Sequence, residues 1–145
     1  MPIRSFEHVI PFRHVATPHG DMWFPLVTVT LIQPTGQRVD LPLVFDTGAS
    51  VTTLRHDLYP LLGLSAWNVG VPGVSETAGG AQPVPFYQYT ATIEFLGRAV
   101  TCPINLMPLP TNPLWLGLFG RRQLFDQFGF GFWEGAHEIY VTLNP

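Results

Sequence analysis

The stretch Leu41-Pro42-Leu43-Val44-Phe45-Asp46-Thr47-Gly48-Ala49-Ser50 decides how the rest of the chain is read. A run of apolar residues carries the backbone as a buried strand to a lone acid, and Thr47-Gly48 then turns it where a larger residue would obstruct. The acid is thereby held at the end of a hydrophobic wall. Low dielectric around a carboxyl raises its pKa, and a second carboxylate close by raises one of the pair further, so two such groups share a proton at working pH. A pair of this kind can split a peptide bond with a water. The competing reading is a strand ending in an ordinary type I or II turn, where Asp, Thr and Gly are all common for backbone reasons.

The whole chain sets bounds on both readings. Its 145 residues suffice for one domain with a real core, and not for two lobes that each carry an acid. Charged residues make up 12%, hydrophobic residues 46%, and the formal net charge is -3, which argues against disorder and against a phosphate-binding surface. Nucleic acid is therefore not an expected partner. Fifteen prolines and fourteen glycines are spread along the sequence, punctuating many short strands, so an all-β fold is expected. The single cysteine, Cys102, lies in the apolar context Val100-Thr101-Cys102-Pro103-Ile104 and is read as a small buried hydrophobe. No segment has the pattern of a signal peptide and no run is long enough to span a bilayer, so a cytoplasmic location is the default expectation.

Other chemistries find little support. The histidines at 8, 14, 19, 56 and 137 have none of the spacings of a zinc site and are read as surface residues; no metal or cofactor is expected. Ser50, Ser65 and Ser75 lie outside any Gly-x-Ser-x-Gly elbow, and Cys102 has no basic neighbour in sequence. Asp21, Asp40, Asp57 and Asp126 lack the Thr-Gly context and are read as solvent-facing or capping.

Along the chain, His8 to Phe12 reads as an edge strand, since proline is tolerated there. Trp23 to Leu31 and Val39 to Phe45 form a hairpin around Gln33-Pro34-Thr35-Gly36 that delivers Asp46. Val51 to Leu54 is strand-like, Arg55 to Leu64 is a short helix stopped by Gly63, and Trp67 to Val74 is a strand. Ser75 to Gln82, small and flexible with Gly79-Gly80 at its tip, precedes the long strand Val84 to Leu96. Leu96-Gly97-Arg98 turns into Ala99 to Met107, Pro108 to Pro113 is a surface loop, and Leu114 to Phe128 passes from a buried strand through Gly120 into a helical turn or two. Phe128 to Trp133 and Glu138 to Leu143 form a last hairpin.

Phe45-Asp46-Thr47-Gly48-Ala49-Ser50 resembles the active-site loop of the aspartic peptidases, and its single copy points to the retropepsin-like branch, in which two subunits each contribute one aspartate. The resemblance runs in order from about residue 23 to 143: hairpin, Asp-Thr-Gly, flap, strand, Leu118-Phe119-Gly120-Arg121 and terminal strand. It implies an all-β retropepsin-like acid protease barrel with a glycine-rich flap hairpin and one or two short helices. In that scheme residues 1–22 are an N-terminal arm or edge strand, and residues 23–145 are the protease domain. Asp46 is the catalytic acid, with Thr47, Gly48, Ala49 and Ser50 as its loop. Thr77, Ala78, Gly79, Gly80 and Ala81 form the flap. Leu118, Phe119, Gly120 and Arg121 support the loop, although Arg122 stands where the family often carries an acid or amide. The activity implied is that of a homodimeric aspartic endopeptidase acting on a peptide or protein substrate. Two other readings stay open: a catalytically idle dimerisation or peptide-binding module of the same fold, and an unrelated small β-barrel that carries a ligand.

Overall fold

Alternating apolar residues build the first long hairpin, with Val27, Val29 and Leu31 of one arm and Leu41, Leu43 and Phe45 of the other turned inward. The computed structural model describes residues 6–76 and 82–144. In chain order its strands are β1 (His8–Pro11), β2 (Arg13–Thr17), β3 (Gly20–Phe24), β4 (Leu26–Ile32), β5 (Arg38–Phe45), β6 (Thr52–Arg55), β7 (Val71–Ser75), β8 (Val84–Phe95), β9 (Arg98–Met107), β10 (Gly117–Phe119), β11 (Phe128–Trp133) and β12 (Glu138–Leu143). Two short 3-10 helices, His56–Leu62 and Glu134–Ala136, complete the described elements.

The main sheet runs β4-β5-β10-β6-β9-β8-β7, and a further pairing of β4 with β8 closes it into a barrel with β7 outside the closure. β8 is long enough, at 12 residues, to serve both ends: Val84 to Gln88 pair with β7, and Thr92 to Glu94 pair with β4. A second sheet, β1-β12-β11, puts β1 at an edge, and β2 and β3 form a separate ribbon. The fold is all-β, as the sequence predicts.

Turn chemistry sets the register. Gly36, at φ 85°, closes the β4–β5 turn with its N–H on the Gln33 carbonyl. Leu96 and Gly97 both have positive φ, 49° and 81°, which matches the right-handed twist of a two-residue hairpin. Gly63 ends the first 3-10 helix in the left-handed conformation, as its sequence predicts.

Several boundaries differ from the sequence expectation. The strand expected from Trp23 to Leu31 is two strands broken at Pro25, whose carbonyl instead accepts the Phe45 N–H. Residues 67–70 are a turn: the Tyr89 hydroxyl donates to the Trp67 carbonyl at 2.6 Å and accepts the N–H groups of Val69 and Gly70. A side chain thus replaces the ladder there. The segment after Gly120 is a set of turns with one α-turn, Phe125 N–H to Arg121 O. His56 is only partly exposed, with its Nδ1 buried and unpartnered among the described residues and its ring edge-on to Trp67 at 5.1 Å.

The core joins β4, β5, β8 and β9 to Leu124, Phe128, Ile139 and Val141. Cys102 is fully buried within it, and burial pushes its thiol up to about 11. It should resist alkylation at pH 8 in the folded protein and react only on unfolding, which a thiol-labelling time course with and without urea reads directly. Leu43 is wholly buried, so Leu43→Ala should cost about 2–5 kcal/mol, seen as a lower urea midpoint with an unchanged slope.

Candidate active site

Asp46 follows the last residue of β5, where the inward Phe45 has fixed the strand and the chain leaves the sheet. Strands β5 and β6, before and after this loop, do not pair with each other. The three residues of β10 lie between them, parallel to β5 through Leu118↔Val44 and Phe119↔Phe45, and antiparallel to β6 through Gly117↔Leu54 and Leu118↔Thr53. The loop is fastened to this insert at four points. The Asp46 N–H donates to the Phe119 carbonyl at 3.2 Å, Gly120 N–H to Thr52 Oγ1 at 3.0 Å, Arg121 N–H to the Ala49 carbonyl at 3.0 Å and Arg122 N–H to the Ser50 carbonyl at 2.9 Å.

Within the loop, Gly48 N–H donates to Asp46 Oδ1 at 2.9 Å and Ala49 N–H to the Asp46 carbonyl at 3.2 Å. A Cβ on Gly48 would stand 3.2 Å from that carboxylate oxygen, so glycine gives the amide its approach. Asp46 is partly exposed, while Thr47, Gly48 and Ser50 are exposed. Among the described residues the Ser50 hydroxyl makes no hydrogen bond to Asp46.

Behind the acid lies an aromatic cluster. Phe45 stacks on Phe119, Phe125 and Phe132 with centroids 6.0, 5.7 and 6.2 Å away, and meets Phe130 at 4.9 Å. In front lies a groove of about 710 Å³ whose walls include Asp46, Gly48, Ala49, Ser50, Thr53, Phe86, Gln88, Asn105, Met107 and Leu118. Val74, Ser75 and Glu76 from the outer end of the β7–β8 hairpin also line it. The expected flap residues Thr77, Ala78, Gly79, Gly80 and Ala81 lie outside the described residues.

Asp46, its loop and Leu118 to Arg121 therefore meet at one end of the barrel, Arg121 through its backbone. The sequence reading missed Thr52, Thr53 and the pair Gln88–Asn105, joined by Gln88 Nε2 to Asn105 Oδ1 at 3.0 Å. Among the described residues Thr52, Thr53 and Asn105 are the buried polar ones. Two successive threonines set between the apolar Val51 and Leu54 were the available signal for the first two, because a buried hydroxyl needs a partner.

The structure superimposes on a retropepsin-like aspartic protease from Rickettsia conorii with a TM-score of 0.60, at 17% identity, covering 93% of this chain and 98% of that one. This chain has the retropepsin-like fold. EIAV protease complexed with the inhibitor HBY-793 is matched at a TM-score of 0.46 and 21% identity, over 68% of this chain and 82% of that one. No family model matches the chain, and no curated protein matches it. Among the described residues no helix is long and apolar enough to cross a membrane.

Two substitutions test the attachment of the retropepsin-like loop. Thr52→Val leaves the buried Gly120 N–H without its acceptor and should lower stability by about 1–3 kcal/mol, read by urea titration. Gly120→Ala places a Cβ 2.4 Å from the Val51 carbonyl carbon and should be worse, giving little folded protein by circular dichroism.

Proposed function

We propose that this chain is an aspartic endopeptidase that works as a homodimer, with one Asp46 from each subunit at the two-fold axis. The observation that carries the reading is Asp46 itself, set on a pinned loop in the wall of a groove lined by both apolar and polar side chains. A groove of this kind suits an extended peptide, and Phe86, Met107 and Leu118 favour apolar or aromatic side chains beside the cleaved bond.

Two carboxyls about 3 Å apart cannot both be charged cheaply, so one is protonated and the other ionised. The ionised Asp46 takes a proton from the bound water as the water oxygen attacks the scissile carbonyl carbon. The protonated Asp46 hydrogen-bonds the carbonyl oxygen and gives up its proton as that oxygen gains charge. The tetrahedral diol then expels the amine, which leaves with the proton of one carboxyl while a diol hydroxyl gives its proton to the other carboxylate; the products are a carboxylic acid and an amine, the pair again holds one proton, and no covalent link to the protein forms. Thr47 links the two loops across the axis and holds the carboxyls nearly coplanar. Residues 77–81, which follow β7 and precede β8 in sequence, act as a flap in this reading, closing over the peptide and offering it backbone groups. Residues 23–145 are the protease domain in this reading, and residues 1–22 are its edge arm.

Asp46→Asn should keep the fold and lower peptide hydrolysis by roughly 10³-fold or more. The parent should elute as a dimer, and its specific activity should fall on dilution as the dimer separates. A fully active Asn variant, or a monomer with undiminished activity, removes the two-carboxylate mechanism. Failure of a peptide-hydrolysis transition-state analogue to bind at any pH favours the idle peptide-binding module instead.

A further inference from the structure

We propose that a side pocket opening beside the groove selects a glutamate side chain of the substrate, with Arg55 as the residue that reads its carboxylate; this rests on the peptidase reading of the groove. The pocket shares Leu109 and Leu118 with the groove, so the two adjoin at those side chains. Its volume of about 210 Å³ falls below the ~300–1,000 Å³ of a small-molecule site and is on the scale of one side chain.

The lining is mostly apolar, from Leu109, Trp115, Leu116 and Leu118, and its charged and amide side chains are Arg55 and Asn112. No carboxylate lines it. Arg55 is held in place twice. Its backbone N–H donates to the Leu116 carbonyl at 3.0 Å, and its Nε donates to Asp57 Oδ1 at 2.6 Å. That pair uses one of the five N–H donors of the guanidinium, and among the described residues no protein atom hydrogen-bonds the two terminal nitrogens, which remain accessible to solvent. The Arg55 side chain is 16% exposed and Asp57 is 54% exposed, so the acid sits toward solvent while the cation sits toward the protein. Asn112 is oriented in the same sense: its Oδ1 accepts the Leu114 N–H at 2.8 Å, which leaves its Nδ2 hydrogens to donate.

Donors free of protein partners next to an apolar wall suit an occupant with a short methylene stem and a terminal acceptor. A carboxylate satisfies a guanidinium fork with two parallel hydrogen bonds, whereas an amide offers one acceptor and no charge. Glutamate has that stem and that end. Glutamine has the same stem without the charge, and aspartate has the charge on a shorter stem.

The test uses C-terminally amidated peptides with an apolar cleavage site, in which a Glu or Gln is moved one position at a time along either side, assayed at about pH 6 where glutamate is ionised. At one position the Glu peptide should be favoured roughly tenfold in kcat/KM. Arg55→Met should erase the Glu/Gln difference while still cleaving the Gln peptide, and Asp57→Asn, which removes the competing carboxylate, should widen it. If Arg55→Met does not fold, Arg55→Lys and Asp57→Asn report on the same effect. Equal cleavage of Glu and Gln peptides at every position by the parent, or a preference that survives in Arg55→Met, overturns the pocket assignment and leaves the peptidase reading intact. Calorimetric binding of the same peptides to Asp46→Asn reads the pocket without turnover: a Glu preference there supports it even if no form cleaves, and equal affinities overturn it.

Discussion

The constraint on which the structure depends is the close approach of the backbone around β10 to the backbone that follows the Asp46 loop. A Cβ on Gly117 would lie 2.1 Å from the Thr53 carbonyl oxygen, and one on Gly120 would lie 2.4 Å from the Val51 carbonyl carbon. Glycine at both ends of β10 is what lets a three-residue strand fit between β5 and β6. Those strands are the two feet of the loop, and without β10 each would present an unpaired edge where the loop leaves the sheet. One short insert therefore supplies barrel continuity and the hydrogen bonds that fix the position of the acid. The two functions cannot be separated by mutation at Gly117 or Gly120.

β8 plays the corresponding role on the other side of the groove. Its second half is tied to β9 and β4 in the closed barrel, and its first half extends beyond the barrel with β7. Tyr89 sits at the join, with its hydroxyl holding three backbone groups of the turn that leads into β7. Along β7, Val71 at the base of the hairpin and Val74 toward its outer end are 68% and 61% exposed. The hairpin is thus held at its base by the Tyr89 hydroxyl while the outward side chains of β7 pack lightly along its length.

How much of this was legible in the sequence follows from the range of the interactions involved. The β4–β5 hairpin, the Leu96-Gly97 turn and the Gly63 stop depend on neighbours in sequence, and alternation or positive φ marks each of them. The Asp46 loop was legible for the same reason, as an apolar strand followed by a turn. What the sequence did not show is set by partners distant along the chain. The Tyr89 hydroxyl turns an expected strand at 67–70 into a turn from 19 to 22 residues away. Thr52 acquires its purpose only because Gly120 arrives 68 positions later. Arg55 reads as the start of a helix, and its place beside Leu109 and Trp115 depends on a proline-rich loop whose path no periodicity predicts.

The surroundings of Asp46 are lopsided, and that bears on how the proposed chemistry is switched on. Behind it the Phe45 cluster excludes water with packed rings, whereas in front the groove is open and its walls are partly polar through Thr53, Gln88 and Asn105. Among the described residues one carboxylate oxygen has a hydrogen bond, from Gly48, and the other has none. Hydrogen bonds to a reacting carbonyl strengthen as water leaves, because the effective dielectric falls. One subunit by itself provides that exclusion on one side alone. Under the proposed mechanism the second subunit supplies the missing carboxyl, and the bound peptide, by filling the groove, supplies the missing apolar wall. Substrate side chains remote from the cleaved bond then contribute to the chemical step as well as to binding, so shortening the peptide is expected to weaken kcat along with KM.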